Sequence, residues 1–243
     1  MSTALFISDL HLDKARPAMV RLFLQLLQEP ARHSGALYIL GDLFDIWIGD
    51  DNGKSEYGVV LDALRRCTES GIPIFIMHGN RDFLLGDGFM SHTGCRLLPD
   101  PTVIDLEGEP SLLMHGDTLC TGDKDYQEFR FQVRDLEWQR NFLSKSVEER
   151  RHIADGLRRT SRAAIQDKPL AIMDVNPDAV EDAFRDHQVH RMIHGHTHRP
   201  GIHALTIDEV PAQRIVLGDW YRQGSVLRYE SGNFELQTFG EKI

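Results

Sequence analysis

Short apolar runs alternate with amphipathic stretches from the N-terminus onward, the rhythm of strands and helices in a layered α/β or α+β domain. Six runs read as strands: Leu5–Ile7, Leu37–Leu40, Ile74–Met77, Leu112–Met114, Arg191–Ile193 and Arg214–Leu217. Helical periodicity falls near 17–32, 56–70 and 177–187, and Pro177 suits the first turn of the last. The segments 214–218, 225–230 and 233–239 predict a short β meander turning at Gly218 and at Ser231-Gly232. No internal repeat or low-complexity tract interrupts this order.

The alternation stops between about 121 and 170, where a charged and apolar stretch runs without glycine from 123 to 155. Residues 121–170 therefore predict a helical insertion, with 1–120 and 171–243 forming the core that closes around it. Its apolar residues Phe129, Phe131, Val133, Leu136, Trp138, Phe142 and Leu143 occupy more than one helix face, where a single core-facing stripe would be narrower. Either the insertion packs between two neighbours, or one of its faces lines an apolar groove. Apolar helical stripes are usually core, so the pattern alone favours packing.

Polar residues at the strand ends carry the candidate chemistry. Leu5–Ile7 is followed by Asp9 and His11, Leu37–Leu40 by Asp42, and Ile74–Met77 by Asn80. Leu112–Met114 runs into His115, and Ile193 into His194-Gly195-His196-Thr197-His198. The C-terminal strand edges of α/β sheets form the ligand crevice, so these groups can converge. Singly, each would be an ordinary turn or surface residue. Together, seven oxygen and imidazole donors are too many for one ion and suit two, with Asp42 on a middle strand a candidate bridge. Mixed carboxylate, imidazole and amide ligation without thiolate favours manganese, iron or zinc over magnesium alone. His78 and His194 stand beside ligands and are candidates to buttress them, while His33, His92, His152, His187, His190 and His203 have no partner in the pattern.

Asp9-Leu10-His11, Gly41-Asp42-Leu43-Phe44-Asp45, Gly79-Asn80-Arg81-Asp82, His115-Gly116-Asp117 and Gly195-His196-Thr197-His198 resemble, in order, the five motif blocks of the calcineurin-like metallophosphoesterases. The resemblance covers roughly residues 4 to 120 and 188 to 219. It implies an α+β fold, a β-sandwich flanked by helices, here with the insertion as a helical cap. It also implies that Asp9, His11 and His198 hold one metal, Asn80, His115 and His196 the other, and Asp42 both. Many members carry a His after the Asn of the third block; this chain has Arg81, whose planar fork suits phosphate.

That substitution, with Tyr38–Phe44, Trp47–Asp51, Gly79–Gly86, Met114–Cys120 and Leu170–Asn176, is similar over nearly the full length to the pyrophosphohydrolase family that acts on UDP-2,3-diacylglucosamine in lipid A biosynthesis. The resemblance implies two divalent ions, Mn²⁺ foremost, and attack of a hydroxide on the α-phosphorus to give UMP and 2,3-diacylglucosamine 1-phosphate (lipid X). It assigns the phosphosugar to Asn80, Arg81, Asp123, Tyr126, Arg158, Ser161, Lys168 and His196, with Arg81 and Asp42 catalytic. It makes the cap an acyl groove walled by Phe129, Trp138, Phe142, Ile153 and Leu157. Ile165 stands where similar enzymes often place a substrate-contacting amide, so that contact is not expected from its side chain. A phosphodiesterase or nucleotide phosphatase acting on a soluble substrate is the alternative, and it would have a filled, polar-faced cap. A metal-bound scaffold without catalysis is a third reading, opposed by the full ligand set.

Composition narrows the setting. With 243 residues the core can be substantial, and Cys67, Cys95 and Cys120 form neither a CxxC pair nor an even set, which predicts a reducing compartment. No run approaches the roughly 18 residues of a membrane span, and no signal-like segment opens the chain. With the resemblance, whose substrate and product are acylated, the implied location is cytoplasmic, peripheral at the inner face of the cytoplasmic membrane. A net charge of −10 speaks against nucleic acid, and no protein partner is predicted. Residues 124–168 nevertheless hold eleven Lys or Arg against eight Asp or Glu, a local excess of three positive charges suited to an anionic substrate or to a solvated helix face.

Overall fold

The computed structural model describes residues 3–160 in full, the backbone of 161–167, and residues 172 and 174–240. The first sheet contains β1 (Ala4–Ile7), β2 (Ala36–Leu40), β3 (Ile74–Met77), β4 (Arg96–Leu98), β10 (Gly224–Glu230) and β11 (Asn233–Phe239) in the order β11-β10-β1-β2-β3-β4. Its strands β1 to β4 are parallel, and β10 runs antiparallel to β1. The second sheet has the order β5-β6-β7-β9-β8, from β5 (Thr102–Leu106), β6 (Glu109–Met114), β7 (Arg191–His194), β8 (Gly201–Ile207) and β9 (Val210–Val216), with β6, β7 and β9 parallel.

Strand alternation with a period of two sends residues to two different cores. Phe6, Leu40 and Met77 of the first sheet meet Leu113, Ile193 and Ile215 of the second, which makes a β-sandwich. Leu5, Ile7 and Ile39 face the other way, onto α1 (Pro17–Gln28) and α2 (Asp50–Glu69). Met192 and Leu112 pack outward on α7 (Pro177–His187) through Val180 and Phe184. The fold is thus α+β, two sheets between helical layers.

Two expectations change. Residues 214–217 do not continue a meander into 225–230: β9 belongs to the second sheet, while β10 and β11 pair as a hairpin in the first. Ser231 and Gly232 do form the tight turn of that hairpin, both at positive φ. Helix α2 begins at Asp50 rather than near 56, and its kink at Tyr57 is where its periodicity breaks. Strands β4, β5 and β8 and helix α3 (Asp87–Thr93) had no apolar run to mark them, because each strand lies at or beside a sheet edge with exposed alternate positions.

Between β6 and β7 the chain forms α4 (Lys124–Arg134), α5 (Leu136–Leu143) and α6 (Val147–Asp167) before α7. Asp123 caps α4 by accepting from Tyr126 N, and Asp135 caps α5 by accepting from Glu137 N and Trp138 N. The apolar residues of this region divide. Phe142 and Trp138 pack against the main core, Val133 is buried, and Phe131 and Leu136 are 83% and 71% exposed.

Candidate metal centre and adjoining cleft

The parallel strands deliver their polar successors to one edge of the sandwich. The β1 loop is stitched to the β2 loop by Asp9 N to Gly41 O (3.1 Å) and His11 N to Asp42 O (2.9 Å), and β6 to β7 by Gly195 N to His115 O (2.9 Å). Asp9 then joins the two sheets, because its Oδ2 accepts from His196 N at 2.9 Å. Asp9, His11, Asp42, His196 and His198 all adopt positive φ, between 46° and 67°. Five non-glycine residues in the left-handed region at one place mark a strained constellation held by its surroundings.

The donor atoms meet as follows. His198 Nε2 lies 3.3 Å from Asp9 Oδ1 and 3.4 Å from His11 Nε2. His11 Nδ1 is 3.7 Å from Asp42 Oδ2. Asn80 Oδ1 stands 3.1 Å from both His115 Nε2 and His196 Nδ1. Donors of Asp9, His11 and His198 lie within 4.8 Å of one another, and so do those of Asp9, Asp42 and His115. Asp42 therefore neighbours donors of both halves of the centre, and Asp9 is shared between them as well.

Among the described residues, buried His11 Nδ1 has no hydrogen-bond partner, and buried Asp9 Oδ1 has only His198 Nε2 nearby, at 3.3 Å. Burial holds His11 near a pKa of 3 and His196 near 4, which keeps both imidazoles neutral and their lone pairs free. Burial pushes Asp42 up to about 7 despite His115 nearby. Burial works against protonation of His115, but Asp42, Asp117 and Asp9 outweigh it and raise that pKa to about 9. Buried carboxylates beside the neutral imidazoles of His11 and His196, with nitrogen and oxygen donors and no thiolate, fit divalent cations.

Side chains without an assigned role hold this arrangement. A Cβ at Gly79 would collide with the Asp42 carboxylate, and one at Gly195 with Ser8 and Asp9, so both positions need glycine. Asp82 is fully buried and accepts from Leu43 N (2.7 Å), Gly79 N (2.8 Å), Asp42 N (3.3 Å) and Phe44 N (3.3 Å), tying the second motif block to the third. Asp117 anchors Tyr126 Oη (2.8 Å) and Arg130 Nε (2.7 Å). Tyr221 stacks on His11 at 5.4 Å, with the Arg16 guanidinium 4.8 Å from its ring. His194 contacts Gly195 O (2.9 Å) and Arg214 (3.1 Å), and His78 contacts Leu85 O (2.8 Å), so both neighbours of the ligands act on backbone or cation. Asp82→Ala strands up to four buried N–H groups and is expected to cost about 3 kcal/mol or more, read as a lower urea midpoint at unchanged slope.

A cleft of about 580 Å³ runs from the metal centre into the cap. Asn80, Arg81, Asp123, Tyr126, Arg158 and His196 all line it, as do Phe129, Trp138, Phe142 and Leu157. Ile153 instead packs against the main core, and Ala154 takes its place on the wall. Lys168 and the side chains of Ser161 and Ile165 lie outside the described residues. Arg158 pairs with Asp45 across the cleft, and among the described residues its buried Nε–H has no partner.

A family model described as calcineurin-like phosphoesterase matches residues 2–200. Proteins named UDP-2,3-diacylglucosamine hydrolase are similar along their whole length. One from Stenotrophomonas maltophilia is 48% identical over 99% of this chain and 100% of its own. One from Pseudomonas paraeruginosa is 49% identical over 98% and 99%, and one from Cellvibrio japonicus 50% over 97% and 98%. A solved structure described as a novel archaeal phosphodiesterase has a TM-score of 0.50 over 98% of this chain and 99% of that one, at 11% identity, a likeness of fold alone.

Proposed function

The chain belongs to the calcineurin-like phosphoesterase family and, within it, to the UDP-2,3-diacylglucosamine hydrolases, and from that premise we propose that it cleaves the pyrophosphate of UDP-2,3-diacylglucosamine. The products are UMP and 2,3-diacylglucosamine 1-phosphate, with the oxygen of water ending on UMP. The observation that carries this reading is the continuity of one cleft from His11, Asp42, Asn80 and His198 to Phe129, Trp138 and Leu157. A soluble phosphodiester has no use for that apolar end. Residues 121–170 are the cap in this reading, and 1–120 with 171–243 the catalytic core.

Two divalent cations, for which manganese is our candidate, would be held by Asp9, His11, Asp42, Asn80, His115, His196 and His198, and would supply a nucleophile from water at neutral pH and neutralise phosphate charge. The chain's own groups bind and orient. Arg81, held at the mouth of the centre by its backbone N–H to Asp42 Oδ1 (2.8 Å), offers a planar fork to the pyrophosphate as charge builds on the departing sugar phosphate. Arg158 brings its buried Nε–H, and Tyr126 is steadied by Asp117 beside His196. Arg81→Lys is expected to leave the metal content intact while lowering turnover by about tenfold or more, since a point charge does not reproduce the fork. Metal lost with kinetics unchanged in the remaining loaded enzyme would contradict that role.

Among the described residues no helix is long and apolar enough to cross a membrane. Our reading is peripheral attachment at the cytoplasmic face of the inner membrane, supported by exposed Phe131 and Leu136 on the cap helices. Sedimentation with anionic vesicles should fall in the double variant Phe131→Ser/Leu136→Ser, and unchanged binding would remove this surface from the account. The function itself is tested by incubating the chain and Mn²⁺ with the UDP-diacyl sugar and with its deacylated analogue. Equal rates on the two, or no release of UMP, would sink the lipid reading.

A further inference from the structure

Helix α6 sends two arginines into the segment that follows Asp42. Arg150, 2% exposed, donates through Nη1 to Ile48 O at 2.6 Å and to Asp51 Oδ1 at 2.9 Å, and its Nη2 pairs with Asp51 Oδ2. Gly49, at φ +129°, has no room for a Cβ against the Arg150 guanidinium and Leu143. Two turns further on, Arg158 pairs with Asp45. Arg158 lines the cleft, whereas Arg150 lies outside its wall.

The spacing i, i+4, i+7, i+8 puts Arg150, Ala154, Leu157 and Arg158 on one face of α6. The last three line the cleft, and so does Ile48 from the core side, whose carbonyl Arg150 grips. One side chain thus ties the cap wall to the core wall. Val147, Ile153 and Ala154 also pack against the main core, so α6 stays on the core without Arg150. Apolar contact is non-directional, however, and does not fix where along its axis the helix sits. A buried guanidinium does, because a shifted register would strand the Nη donors now held by Ile48 O and Asp51, in addition to the Nε that already has no partner among the described residues.

We propose that Arg150 is a positioning residue: it sets the register of α6 against Ile48 and thereby the width of the apolar cleft, selecting substrates with acyl chains. This rests on the lipid reading of the cleft given above. Arg150 touches neither the metal centre nor the substrate, so its loss shows in discrimination rather than in the chemical step.

The test uses the Mn²⁺-loaded full chain with three substrates: the UDP-diacyl sugar, its deacylated analogue and bis(p-nitrophenyl) phosphate. In Arg150→Lys the KM for the diacyl substrate is expected to rise about tenfold or more with kcat nearly unchanged. The preference for diacyl over deacylated substrate should fall by the same factor, while bis(p-nitrophenyl) phosphate hydrolysis and metal content stay as in the wild type. Because Arg150 is buried and its replacement risks misfolding, Asp51→Asn is measured beside it: the Asp51 side chain is 61% exposed, and a smaller shift in the same direction is expected. An unchanged preference in both folded variants, or parallel loss on all three substrates, overturns the proposal. A wild type without any diacyl preference overturns the lipid reading and this inference with it, which distinguishes the two failures.

Discussion

Asp42→Ala is expected to abolish turnover and to lower bound metal below two ions per chain. The carboxylate sits 2% exposed at the end of β2, 3.7 Å from His11 and grouped with the His115 donor, so its removal reaches both halves of the centre. The loss should exceed the roughly 10–100-fold that removing an outer partner of a metal ligand costs. A second consequence separates this from general damage. Cations that bind only the folded chain stabilise it by mass action, about 2.7 kcal/mol at a hundred times Kd. Chelation should therefore lower the melting temperature of the wild type clearly and that of Asp42→Ala much less. Full activity with two ions retained would take Asp42 out of the bridging role.

What the sequence displays and what it hides follow from distance along the chain. The strands that lead to Asp9, Asp42, Asn80, His115 and His196 are buried on both faces at their C-terminal ends, so they finish in short apolar runs, and a polar residue closely following such a run stands out. Edge strands such as β5 and β8 alternate with solvent and lack that mark. Nor does an apolar run announce its sheet: β9 and β10 look alike, yet they lie in different sheets joined through Gly218 and Trp220. Asp82 and Arg150 were invisible as positioning groups for another reason. The partners that make each buried charge meaningful lie far off in sequence, 39 residues for Asp82 to Leu43 and 99 for Arg150 to Asp51. Phe129 and Phe131 show the limit of periodicity. They point to opposite sides of α4, and only packing decides that one lines the cleft and the other faces solvent.

A charge placed on the apolar wall decides between a lipid substrate and a soluble one. Phe142 is a poor site for it, since it is 5% exposed, stacked on Trp138 at 5.1 Å and part of the main core, so a carboxylate there would disturb the fold. Leu157 is better placed: it lines the cleft, is only partly buried, and lies on α6, which carries none of the candidate metal ligands. Each methylene of an acyl chain buried in the cleft contributes about 0.8 kcal/mol, so losing the seat of four of them amounts to about 3 kcal/mol, more than a hundredfold. Leu157→Asp is accordingly expected to lower kcat/KM on the UDP-diacyl sugar by about a hundredfold or more. Hydrolysis of bis(p-nitrophenyl) phosphate, which has no chain to seat, should stay within about twofold. Circular dichroism and metal content serve as controls. Equal loss on both substrates with those controls unchanged would mean that the wall carrying Leu157 does not hold acyl chains, and the soluble-substrate reading would take its place.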